Sequence, residues 1–348
     1  MKSVNALGVK SSTDTIGVMK IERRNPKSND VVVDIHFCGI CHSDIHQARN
    51  EWGPGIFPMV PGHEISGVVS QVGNGVTRFA VGDKVGVGCF VDSCRECKPC
   101  KLGLEQYCEK GANFTYNGYE RDGKTPTYGG YSTSIVVDQD YVLRIPKNLD
   151  LAKASPLLCA GITVYSPLRY WKVDHTKHVA VVGLGGLGHM AVKFAVAMGA
   201  KVTVISQTTR KMADAKKMGA NNLIAITDKD SLKKVAGTID VMINTVSAGL
   251  DWNELLGLLG LDGALVVVGI PTEAIPVHAF SLLMGRKNLT GSGMGGIAET
   301  QEMLDFCAEH NVTCDIELIN ADYVNTAYER ILKSDVRYRF VIDTKTIK

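Results

Sequence analysis

The segment HVAVVGLGGLGHMAVKFAVAM, which starts at His178, restricts the possible folds of this chain more than any other. A short β-branched run, HVAVV, passes directly into Gly183-x-Gly185-x-x-Gly188 and then into an apolar pattern of helical period, which predicts a helix from about Leu187 to Met198. At such a junction the first glycine permits a tight turn, the second lets the backbone approach a pyrophosphate, and the third allows close helix packing. The N–H groups of the helix start then face the anion. Gly183, Gly185, Gly186, Leu187 and Gly188 are the candidate dinucleotide-binding residues.

The same texture continues downstream. KVTVIS at 201, a helix ending near Met218, IDVMIN at 239 and ALVVVG at 264 alternate strand and helix. That alternation implies an α/β fold with a parallel, doubly wound sheet of the Rossmann kind. An acid ending the second strand would bind the 2′-OH of NAD, but the chain runs Ser206-Gln207-Thr208-Thr209-Arg210-Lys211 instead. The hydroxyls of Ser206 and Thr208 and the cations Arg210 and Lys211 suit a 2′-phosphate, so NADP(H) is the expected cofactor.

The first 145 or so residues read differently, as strands of a partly closed β domain: VVVDI at 31, ISGVVSQVG at 65 and DKVGVG at 83. A length of 348 residues fits two domains of roughly 150 residues each. A helix from about Ala298 to His310 leads to DIELIN and RYRFVID, which resemble the strands of the first segment. The expected division is therefore 1–150 with 294–348 as a β-rich domain, and 151–293 as the inserted dinucleotide domain.

Lys and Arg number 38 against 36 acids, a net charge of +2 that gives no reason to expect nucleic acid or an anionic membrane as partner. No apolar run approaches the roughly 20 residues of a membrane span, and MKSVNALGVKSSTD lacks a signal-peptide core, so a cytoplasmic location is expected. In that reducing compartment ten cysteines point to metal or catalysis rather than disulfides. Cys94, Cys97, Cys100 and Cys108 offer four soft thiolates at short spacing, the donor set of a closed structural zinc. Cys41, His63 and Cys159 supply three scattered ligands and leave a position open, as catalytic zinc requires, with Glu64 either an alternate ligand or a group that holds nearby backbone or a cation. Asp44 is placed to accept the second ring N–H of His63. Cys38, Cys89, Cys307 and Cys314 read as small buried hydrophobes.

Five motifs then carry a resemblance: GICHSDIH, VPGHEISGVV, VGVGCFVDSCRECKPCKLGLEQYC, LLCAGITVYSPL and VGLGGLGHMAVKFA, in that order over nearly the whole chain. The sequence resembles the zinc-dependent medium-chain alcohol dehydrogenases, in their cinnamyl alcohol dehydrogenase-like branch. The resemblance implies a GroES-like catalytic domain, NADP preference, two zinc ions per subunit and a homodimer. It also implies Cys41, His63 and Cys159 as catalytic ligands, the four clustered cysteines as structural ligands, and Ser43 with His46 as a proton relay. A pocket wall of Trp52, Phe114 and Met294 would accept aromatic and medium aliphatic aldehydes, with Phe114 standing where many plant relatives have Trp. Two rivals are a polyol or secondary-alcohol dehydrogenase of the same fold, and a catalytically silent zinc- and nucleotide-binding sensor.

Overall fold

The computed structural model describes residues 1–348 except 248 and 272. The chain forms two compact units, Met1–Ile162 with Gly295–Lys348, and Thr163–Met294.

The first unit is built on the strand Asp30–Gly39, whose DVVVDIHFCG sequence is β-branched over its first half. Ten residues are long enough for two partners along one edge. Ser134–Asp138 pairs antiparallel with the first half and Arg339–Asp343 with the second, through Gly39, Cys38 and Phe37. On the other edge lies Ile65–Val72, followed by Lys84–Val87 and Leu143–Arg144. Ile316–Ile319 closes the far side, parallel to Arg339–Asp343. The last strand of the chain is thus hydrogen-bonded beside Cys38 and Gly39, two residues before the metal-ligand motif begins. Ala154, Leu157 and Leu158, in the short helices that follow Asp150, are buried in the same unit and carry Cys159 with them.

The second unit holds six parallel strands in the order Asn222–Ala225, Lys201–Ser206, His178–Val182, Ile239–Asn244, Leu259–Val267, Asn288–Gly291. This is the doubly wound order, and the chain reverses direction of growth beside the His178–Val182 strand. Every residue of that strand is buried, because helices cover both faces of a parallel sheet. His178 is the polar exception, with its ring nitrogens 3.1 Å from Thr238 Oγ1 and 2.9 Å from Thr203 Oγ1. Among the described residues no helix is long and apolar enough to cross a membrane.

Candidate metal centres and dinucleotide loop

The local cluster forms within one loop of the first unit. Cys97 caps the four-residue helix Lys98–Lys101, whose first turn holds Pro99, and this turn folds Cys100 back on Cys97 at 3.4 Å between sulfurs. Cys94 and Cys100 sulfurs lie 3.9 Å apart, and all four cysteine sulfurs fall within 4.8 Å of one another. Backbone N–H groups of Cys94 and Cys97 point at the sulfurs of Cys108 and Cys94, each at 3.4 Å. Such donors favour thiolate over thiol, and those of Glu96 and Cys97 bring Cys94 down to about 6. Ser93, held by Tyr141 at 2.7 Å, meets Cys100 from behind.

The second centre is assembled from distant segments. Cys41 caps the helix His42–Ala48 just after the long strand; His63 and Glu64 precede Ile65–Val72; Cys159 stands between the turn Ser155–Leu158 and the helix Ala160–Tyr170. One ligand atom from each lies within 4.8 Å of the others, with 3.9 Å between the sulfurs of Cys41 and Cys159. His63, Glu64 and Cys159 are buried. A Cβ on Gly39 would occupy the position of the Glu64 carboxylate, so only glycine leaves room for that side chain.

Asp44 organises the ring of His63. Its buried carboxylate accepts from Cys41 N at 2.8 Å, Gly62 N at 3.2 Å, His63 Nδ1 at 3.2 Å and the Tyr131 hydroxyl at 3.1 Å. An ionised carboxylate only accepts, so Nδ1 carries the proton and Nε2 is left free for a ligand role. Burial alone would depress His63, but the Asp44 carboxylate outweighs it and holds the ring well above its usual range.

The donor set fits a soft divalent cation. Cys41 is drawn well below the usual thiol range by the neighbouring Cys159 thiol, against the effect of burial and helped by Arg339; Cys159 is correspondingly pushed up. Burial pushes Glu64 up to about 8 even with the Arg339 guanidinium 3.4 Å away, and neither Glu64 oxygen has a hydrogen-bond partner. A fully buried carboxylate beside two sulfurs, with one guanidinium as counter-charge and no hydrogen bond among the described residues, is an only partly compensated arrangement that a bound cation relieves.

Ser43 and His46 are one turn apart on the helix that Cys41 caps. His46 pairs through Nδ1 with Glu51 and is stacked between His42 and Trp52, at ring separations of 4.9 and 4.7 Å. Trp52 and Phe114 are 42% and 47% exposed, which excludes them from the core. Met294 is partly buried, adopts a left-handed backbone with φ of 55° and belongs to the other unit.

In the second unit Gly183 turns at φ of 88°, and a Cβ on Gly188 would collide with the Gly183 carbonyl. Gly185 caps the helix Gly186–Ala197 with open space where its Cβ would stand. This is the strand, turn and helix start that a pyrophosphate needs. Ser206 ends its strand half-buried, Thr208 and Arg210 are exposed, and Lys211 reaches back with Nζ 2.7 Å from the Leu184 carbonyl. Lys211 thereby ties the end of the second strand to the glycine turn.

Two participants escape sequence reading. Arg339, 6% exposed, donates to the Ile40 carbonyl at 3.1 Å and pairs with Glu64. Tyr116 stacks on His63 at 5.8 Å. Cys89 is buried as expected, with its sulfur 3.7 Å from the Leu158 carbonyl.

Residues 27–147 match the family model described as alcohol dehydrogenase GroES-like domain, and residues 186–309 that of zinc-binding dehydrogenase. The chain is 59% identical to NADP-dependent alcohol dehydrogenase C 1 of Mycolicibacterium smegmatis over 100% of both chains. It superposes on cinnamyl alcohol dehydrogenase from Sorghum bicolor with a TM-score of 0.95 at 47% identity, covering 100% of this chain and 99% of the other. Similarity to the cinnamyl alcohol dehydrogenase of Helicobacter pylori complexed with NADP(H) is 44% identity and a TM-score of 0.92, over 99% of each chain.

Proposed function

Because the chain belongs to the zinc-dependent medium-chain alcohol dehydrogenases, in their cinnamyl alcohol dehydrogenase-like branch, we propose that it interconverts aldehydes and alcohols with NADP(H), and that its preferred aldehydes are aromatic or medium aliphatic. The observation that carries this reading is the convergence of half-buried Cys41 with buried His63, Glu64 and Cys159, with a carboxylate that has no hydrogen-bond partner among the described residues. In the proposal Cys41, His63 and Cys159 hold a catalytic zinc, Glu64 is its alternate ligand, and Cys94, Cys97, Cys100 and Cys108 hold a structural zinc. When bound, the catalytic zinc supplies Lewis acidity toward a substrate oxygen, and NADP(H) supplies or accepts the hydride.

The remaining work belongs to side chains of this protein. Asp44 keeps His63 in the tautomer that presents Nε2. Ser43 donates a proton to the substrate oxygen in reduction and accepts one in oxidation, and His46 exchanges that proton with solvent. Trp52, Phe114 and Met294 offer apolar surface to the organic part of the substrate. Gly183, Gly185, Gly186, Leu187 and Gly188 receive the pyrophosphate, while Ser206, Thr208, Arg210 and Lys211 select the 2′-phosphate. Ten free cysteines suit a reducing cytoplasm, and the proposal includes a homodimer acting on a small molecule.

The test is NADPH consumption with cinnamaldehyde, before and after zinc chelation, with NADH in parallel. Metal-dependent turnover that prefers NADPH supports the proposal. Absence of turnover across aromatic and aliphatic aldehydes overturns it, and strong polyol oxidation with NAD would replace the substrate assignment.

A further inference from the structure

Arg23 ends the strand Gly17–Arg23 on its inward face, two residues after buried Ile21, and is itself 8% exposed. Its guanidinium reaches four acceptors, none of them charged: the carbonyls of Ser134 at 2.9 Å, Tyr128 at 2.7 Å and Gly129 at 2.9 Å, and the Ser132 hydroxyl oxygen at 2.8 Å. The nearby acids Asp30 and Glu120 pair with Arg24 instead. Burial pulls Arg23 down to about 9. An apolar side chain of similar volume often stabilises such a position better, so a buried guanidinium here points to a need for its fixed fork of donors. All four acceptors belong to one segment, residues 128–134, whose other side faces the residues before His63. There Gly129, Gly130 and Tyr131 donate their N–H groups to the carbonyls of Val60 at 2.7 Å, Gly62 at 2.8 Å and Pro61 at 3.0 Å. A Cβ on Gly129 would stand 2.2 Å from the Pro61 carbonyl oxygen, so the two segments meet backbone to backbone. Tyr131, fully buried, carries its hydroxyl to Asp44 at 3.1 Å, and Asp44 in turn accepts from Gly62 N and His63 Nδ1.

We propose that Arg23 is a positioning residue for the second metal centre: it fixes the 128–134 segment, so that the Tyr131 hydroxyl and the backbone of 60–62 hold Asp44 and His63 where Nε2 faces the other ligands. This rests on the ligand assignment made above. A metal-binding constellation has to be kept within about 0.5 Å of its working geometry, and the groups behind the ligands are what keep it there. Tyr128 and Ser134 stand at opposite ends of the segment, and the planar fork bonds both at once. Lysine keeps the charge but gathers its donors at one point, so it cannot span the same two carbonyls. Arg23 touches neither ligand nor substrate in this role. It acts through the segment that carries Tyr131.

The experiment is chelator competition on the zinc-loaded full chain, comparing wild type with Arg23→Lys, Tyr131→Phe and the double variant. Alkylation of the cysteines freed at each release identifies which site has lost its zinc. The expected result is that either single variant weakens zinc binding at Cys41, His63 and Cys159 by about tenfold, while the four-cysteine loop keeps its wild-type affinity. The double variant should lose little more than the worse of the two, because both changes act on Asp44. Tyr131→Phe leaves Arg23 and the segment in place and tests the same route if Arg23→Lys folds poorly. Equal weakening of both zinc sites, additive losses in the double variant, or a lower melting temperature with unchanged zinc affinity at Cys41, His63 and Cys159 overturns the proposal. Metal content before competition separates the two readings. Wild-type protein without zinc at Cys41, His63 and Cys159 fails the ligand assignment, whereas protein loaded there whose variants match wild type fails only the role of Arg23.

Discussion

The two cysteine centres of the first unit use similar donors and are built in opposite ways. Cys94, Cys97, Cys100 and Cys108 come from one loop, with backbone N–H groups aimed at their sulfurs and no carboxylate among the donors. Cys41, His63, Glu64 and Cys159 come from three separate segments, and the set includes a buried acid with neither oxygen bonded. A local set of four equal ligands can be satisfied completely, so a metal bound there would hold the loop in place. A convergent set with one surplus, poorly satisfied group can change ligands, and that is the property chemistry needs. The fold pays for the second arrangement with Gly39, Asp44 and Arg339, each placed so that Glu64 and His63 remain buried and oriented.

The sharpest way to break this contrast is to remove one sulfur from each centre. Cys41→Ala should lower kcat/KM for aldehyde reduction by at least about a thousandfold, equivalent to roughly 4 kcal/mol, while circular dichroism and melting temperature change little. Cys97→Ala should do the reverse, with a stability loss of roughly 4 kcal/mol or more seen in thermal or urea unfolding and near-normal turnover in the fraction that folds. If both variants lost fold and activity together, the division of labour would be wrong.

A milder change sharpens the description of the second centre. Asp44→Asn keeps the shape but not the charge, and should weaken zinc binding there by about 10- to 100-fold in chelator competition, leaving the four-cysteine loop loaded. An effect of similar size, confined to one cofactor, is expected outside both centres. Arg210→Ala should raise KM for NADPH by roughly tenfold to a hundredfold and leave KM for NADH nearly unchanged. Equal losses for the two cofactors would remove Arg210 from 2′-phosphate recognition.

The same contrast explains what could be read in advance. The glycine turn at Gly183 and the cysteine loop are local, so spacing and strand-to-helix context were enough to find them and to infer the doubly wound sheet. Helix limits were close as well, with Gly186–Ala197 and Ile297–His310 against predicted starts at Leu187 and Ala298. The long strand ran past its predicted VVVDI, from Asp30 to Gly39, because its second half is paired by residues from the far end of the chain. That pairing is what brings Arg339 to Glu64, and no pattern near either residue announces it. Cys89 was read as a small buried residue and is one, although its neighbour is set by the tertiary approach of residues 88 and 158, which puts its sulfur 3.7 Å from the Leu158 carbonyl. Convergent sites hide their supporting residues because the information lies in strand pairing rather than in spacing.

A chelation time course tests the central claim most directly, with zinc content, NADPH-dependent turnover and melting temperature followed on the same sample. The account predicts that activity falls with the first zinc released while the melting temperature stays near its starting value, and that the fold is lost only with the later release. Simultaneous loss of activity and fold, tracking a single release, would contradict it.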